Sequence, residues 1–172
     1  MNHSVHFYES RPLLVDWLYR SVREAMQAGD MCVVIARPDI REPLERLLDL
    51  QFDVTAASAW GLYAYVYPDE LVAELRDRDA GIDAGAFGQW LVGIAAEARA
   101  AGRQIAVWAE IGDELARQGE DRATRELENL WETAPAGVCS VTCLYAKAKV
   151  RVCDRESTIR QLHGSADSAP ND

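Results

Sequence analysis

Residues 31–36, MCVVIA, are apolar at every position. A strand exposed on one face alternates apolar and polar residues, whereas an unbroken apolar run of this length belongs to a strand covered on both faces. That restricts the chain to folds with a central sheet between two helical layers. The run is framed by Gly29-Asp30 before it and Arg37-Pro38 after it, which marks both of its ends.

The remainder of the chain fits that frame. "VHFY" reads as a first strand. From Pro12 to Gln27 the positions Leu13, Leu14, Trp17, Leu18, Val22, Ala25 and Met26 make a helical stripe, with Ser10 as N-cap and Gly29 as the stop. A helix with Leu44, Leu47 and Leu48 on one side follows MCVVIA to about Leu50, and Pro43 is expected in its first turn. "GLYAYVY" is a third strand, followed by a short helix that Asp69 can cap. "RDRDAGID" is a charged loop. Phe87, Trp90, Leu91, Ile94 and Ala98 define a long helix from Ala84 to Ala100. "QIAVWAE" is a fourth strand, two short helices split near Gly119 come next, and "VCSVTCLYA" is a fifth strand. "STIRQLH" predicts a last helical turn or two, and residues 164–172 a frayed tail.

Strands alternating with helices predict an α/β fold: a doubly wound, mostly parallel sheet of about five or more strands with helices on both faces, in a single domain over residues 1–163. The length, 172 residues, suits one core without disulfide or metal staples. An apolar share of 49% excludes a disordered chain. The net charge of −10, with no extended basic patch, speaks against direct nucleic-acid binding. No apolar run approaches the ~20 residues of a membrane span. The N-terminus MNHSVHFYES does not read as a signal peptide. A cytoplasmic protein with reduced cysteines is the expectation.

In such sheets ligands bind at the carboxyl ends of the strands. The second strand there runs into "ARPDIRE", where nucleotide-binding proteins keep a phosphate loop. This one has neither the glycines that let backbone N–H groups converge nor a lysine, and Asp39 would repel phosphate. Arg37 and Arg41 could pair with an anion; the plainer reading is two solvated arginines on a capped helix. "IAVWAE" ends an apolar strand in Glu110, as metal- or base-bearing strands of nucleotide hydrolases do, yet a helix-capping glutamate fits equally well. Glu128 is either a helix-surface charge or a buried acid with a partner, the surface being the commoner place.

Metal pairs fail on geometry. His3 and His6, three apart on a strand, point to opposite faces. Cys139 and Cys143 share a face but lie ~13 Å apart at ~3.3 Å per residue, too far for one zinc with ~2.3 Å bonds to sulfur. No metal and no cofactor is therefore expected, and His163 reads as structural. Ser140 and Thr142 sit inside a strand without a nucleophile elbow. The tryptophans belong to the core, apart from Trp60 in a loop region.

Several stretches together resemble one family, the MEDS domain (methanogen/methylotroph, DcmR-type sensory domain). They are "HSVHFYES" with His3, Phe7, Tyr8 and Glu9; "AGDMCVVIARPD"; "WGLYAYVYPDEL"; "AGRQIAVWAEI"; "RELENLW" with Leu127, Glu128, Leu130 and Trp131; "CSVTCLYA" with Ser140, Cys143 and Tyr145; and His163. The chain departs from that pattern at Ala109, Ile111, Ile40, Leu62 and Tyr67, the last three removing polar groups near strand ends. The resemblance implies a RecA/KaiC-like fold that has lost its phosphate loop, and a sensory role without catalysis. At the carboxyl edge of the sheet, Tyr8, Arg37, Glu110 and Tyr145 are expected to wall a site for a small ligand or a protein partner, supported by Glu128 and Trp131 from the neighbouring helix. With no output domain in sight, the signal is expected to pass by contact to a protein partner such as a kinase or regulator, or through a homodimer. The rival is a divergent metal-dependent nucleotide hydrolase using Glu110.

Overall fold

A computed structural model describes residues 2–133 and 138–147. The expected helical turn at "STIRQLH", the tail, Cys153 and His163 lie outside the described residues. Twelve elements follow one another: β1 (Asn2–Tyr8), α1 (Arg11–Ala28), β2 (Met31–Ile35), α2 (Pro38–Leu48), α3 (Val54–Ala59), β3 (Tyr63–Val66), α4 (Pro68–Leu75), α5 (Ala84–Ala100), β4 (Ile105–Ala109), α6 (Ile111–Arg117), α7 (Asp121–Glu132) and β5 (Val138–Ala146). The five strands form one parallel sheet in the order β1-β5-β4-β2-β3. The doubly wound α/β expectation is met.

The order explains the two helical layers. From β1 to β3 the chain steps across the sheet one way; from β3 to β5 it steps back. Crossovers between parallel strands are right-handed, so reversing direction moves the helices to the other face. Accordingly α1, α2 and α3 pack with Cys32, Val34, Ala106, Trp108 and Leu144 on one side. Helices α4 to α7 pack with Val33, Ile35, Val107, Val141 and Cys143 on the other. Every residue of β2 and of β4 is buried, as the unbroken apolar run requires.

Local signals behave largely as their chemistry dictates. Gly29 ends α1 at φ 86°, a left-handed conformation that glycine adopts without strain, and the N–H groups of Gly29 and Asp30 bond back to Met26 and Ala25. Ser10 stands at the start of α1 with its side chain unused as a cap. Two expectations are corrected. Proline at the first position starts α2 at Pro38 and α4 at Pro68. Pro43 therefore falls in the second turn of α2, and Tyr67, not Asp69, is the N-cap of α4. Helix α3, unforeseen, is capped by Asp53, whose side chain accepts the Ala56 N–H at 2.8 Å. Trp60 is exposed, as its loop position implied.

Candidate functional site

Strand order locates the switch point. β2 leaves its carboxyl end toward β3 on one face, and its neighbour β4 leaves toward β5 on the other. The crevice between such diverging connections is where open α/β sheets bind ligands. Arg37 follows β2 there, and Glu110 follows β4.

Pro38 holds Arg37 in extended backbone (φ −64°, ψ 155°), which turns the chain out of the sheet and leaves the Arg37 N–H facing β4. Glu110 is carried one residue past β4, where its own N–H still bonds to Ile35 O at 2.7 Å. The two then meet. Arg37 N donates to Glu110 Oε2 at 3.0 Å, and Arg37 Nη2 donates to Oε1 at 2.9 Å. Tyr8, at the end of β1, donates its hydroxyl to Glu110 Oε1 at 2.7 Å and accepts from Arg37 Nη2. Asp113, in the first turn of α6, faces Arg37 Nη1 at 3.7 Å, and its Oδ1 accepts the Ala146 N–H at 3.1 Å. Tyr65 donates to Arg37 O at 2.7 Å.

Burial drives the electrostatics. Glu110 is 1% exposed and the Arg37 side chain 12%. Burial, and next the Glu110 carboxylate, push the Tyr8 hydroxyl far up, so it stays a neutral donor. Burial opposes the charge on Arg37, but Glu110, Tyr8 and Asp113 more than offset it and raise its pKa. Solvated arginine is thus the wrong description of Arg37. Its guanidinium is drawn in because a neighbouring strand delivers a carboxylate that sequence separation concealed. Arg41 remains half-exposed, bonded to Glu45 and Tyr67.

A second network lies on the α4–α7 side of the sheet. Tyr145 of β5 donates its hydroxyl to Glu128 Oε1 of α7. Glu128 is 2% exposed, so the surface reading is overturned: α7 buries Ala123, Thr124, Leu127, Glu128 and Trp131, a face wide enough to include the acid. Burial and then Glu128 raise the Tyr145 hydroxyl and the Cys143 thiol well above their ordinary values. His3 Nε2 lies 3.4 Å from Glu128 Oε2. His6 points to the other face, stacked on Trp17 at 3.9 Å, as strand alternation predicted. Trp131 packs edge-on against Phe87 at 4.8 Å, in the core behind this network.

The structure therefore brings Tyr8, Arg37 and Glu110 into one network and Tyr145 and Glu128 into another, with Trp131 behind the second. The first turn of α6 touches both. Asp113 reaches Arg37, while a Cβ on Gly112 would stand 2.2 Å from Tyr145 Oη and 3.0 Å from Glu128 Oε1. Sequence reading missed Asp113 and Gly112. The acid three residues after Glu110 was the available signal; the close approach at Gly112 left none. Gly112→Ala is expected to cost about 1–3 kcal/mol, because neither Tyr145 nor Glu128 has room to yield; the shift in urea midpoint measures it.

The family model for MEDS, the MEthanogen/methylotroph, DcmR Sensory domain, matches residues 2–164. The chain belongs to the MEDS family. It is thus a sensory domain, and both networks lie within the MEDS match. No curated protein and no solved structure matches the chain. Among the described residues of this MEDS domain, no helix is long and apolar enough to cross a membrane.

Proposed function

We propose that this domain senses a small molecule at the carboxyl ends of β1, β2 and β4 and relays its state by contact with a partner protein or a second copy. The observation that carries this reading is the Tyr8–Arg37–Glu110 network, built across the switch point and left slightly open at Arg37. A carboxylate from β4 already takes the place at the start of α2 that a phosphate takes in nucleotide-binding folds. The site holds one guanidinium against two carboxylates, Glu110 and Asp113. That balance disfavours a polyphosphate and suits a neutral or cationic molecule with hydrogen-bond donors. A ligand that takes a bond from Arg37 or Glu110 loosens the joint between α2 and α6, and that change is the signal.

Native mass spectrometry of the purified chain, with and without magnesium-ATP, tests this. A bound small molecule is expected in the wild type and absent in Arg37→Lys, which keeps the charge but loses the planar fork. The same adduct retained by a folded Arg37→Lys protein would remove the site from consideration. Magnesium-dependent ATP turnover, lost in Glu110→Gln, would favour the nucleotide hydrolase instead. The three hydrogen bonds already held by Glu110 weigh against that outcome.

A further inference from the structure

The second network brings together one member of each pair that fails alone. His3 sits on edge strand β1, opposite Val141; Cys143 is two residues further along β5; Glu128 comes from α7. His3 Nε2 is 3.3 Å from Cys143 Sγ and 3.4 Å from Glu128 Oε2, and the three atoms lie within 4.8 Å of one another. The His3 side chain is 8% exposed, Glu128 2% and Cys143 1%. Bonds of about 2.0–2.1 Å to nitrogen, 2.3 Å to sulfur and 2.0–2.2 Å to oxygen, arranged tetrahedrally, place the nitrogen about 3.6 Å from the sulfur and about 3.4 Å from the oxygen. The two separations made by His3 are close to these.

We propose that His3, Cys143 and Glu128 are a three-ligand site for a thiophilic divalent cation of the zinc type. A nitrogen, a sulfur and one carboxylate oxygen are a poor set for magnesium or calcium, which take oxygen ligands. Three protein ligands leave a fourth position for water or a small donor molecule. Tyr145 supplies the support such sites use. It bonds to Oε1 of Glu128, leaving Oε2, the oxygen facing His3, as the ligand. Gly112 keeps Tyr145 in that place by offering no side chain.

The test uses the full chain, stripped with a chelator and titrated with cobalt(II), then with zinc in competition. One equivalent of cobalt is expected, with a thiolate-to-cobalt charge-transfer band. The band should vanish in Cys143→Ser and persist in Cys32→Ser, whose thiol is on the opposite face of the sheet. His3→Ala, on the edge strand, should weaken zinc binding at least about 100-fold, and Tyr145→Phe about 10–100-fold, with far-UV circular dichroism unchanged. Absence of the band at one equivalent in the wild type, its survival in Cys143→Ser, or an unchanged zinc affinity in His3→Ala, overturns the site. In that case His3, Cys143 and Glu128 are a buried polar cluster only. The proposed ligand site at Arg37 uses none of these residues, so either can fail without the other.

Discussion

Glu110→Ala is expected to destabilise the domain by about 3–5 kcal/mol, the largest cost of any change at the switch point. The carboxylate accepts from Tyr8, from the Arg37 side chain and from the Arg37 backbone. Its removal leaves a nearly buried guanidinium with the Tyr8 hydroxyl and, at 3.7 Å, the Asp113 carboxylate as its remaining partners among the described residues. It also strands a buried hydroxyl and a backbone N–H. For a chain of this size each kcal/mol is worth roughly 2–4 °C, so the melting temperature should fall by about 6–20 °C. Glu110→Gln keeps an acceptor and the shape, and should cost about half as much. Equilibrium urea unfolding of the three proteins gives the ranking; a Glu110→Ala protein as stable as wild type would show that the network is not formed in solution.

The paired replacement Arg37→Met with Glu110→Leu separates stability from function. A buried ion pair exchanged for apolar side chains of similar volume is often neutral or stabilising, because two desolvation costs disappear together. The double variant is expected to recover at least half of the loss seen in Glu110→Ala. Such recovery means that burial of apolar groups could have closed this crevice, and that the charges serve something other than folding. The sensory reading supplies that role: a polar joint between α2 and α6 that a small molecule can open.

The fold was legible because its signals are local. An unbroken apolar run at MCVVIA, helical stripes ending at Gly29 and Gly119, and strands separated by helices lead to a parallel sheet between two helical layers without any tertiary information. Proline shifted the starts of α2 and α4, since a proline at the first helical position competes successfully with a polar cap further along. The site was legible only in part. Tyr8, Arg37 and Glu110 could be named because they sit at strand ends, and the topology does the rest. Their mutual bonding could not be read, since strand order, not sequence distance, makes β4 the neighbour of β2. For the same reason sequence spacing sets His3 beside His6 and Cys143 beside Cys139. The contact that exists crosses from β1 to β5, over 140 residues of chain.

Trp131→Ala is expected to cost about 3–5 kcal/mol, comparable to Glu110→Ala but for a different reason. Trp131 is fully buried, edge-on to both Phe87 and Trp90 of α5, so its loss empties the space between α5 and α7. Trp131→Phe separates volume from polarity. The indole Nε1 is buried with no hydrogen-bond partner among the described residues, and phenylalanine removes that unpaired donor. It also keeps an aromatic ring against Phe87. The gain from losing a buried unpaired donor, about 1–3 kcal/mol, offsets much of the smaller cavity, so Trp131→Phe should lie within about 1 kcal/mol of wild type. Urea unfolding followed by circular dichroism checks both variants. If Trp131→Phe were as damaging as Trp131→Ala, the indole N–H would have a partner that matters, and Trp131 would move from the core behind the second network into the network itself.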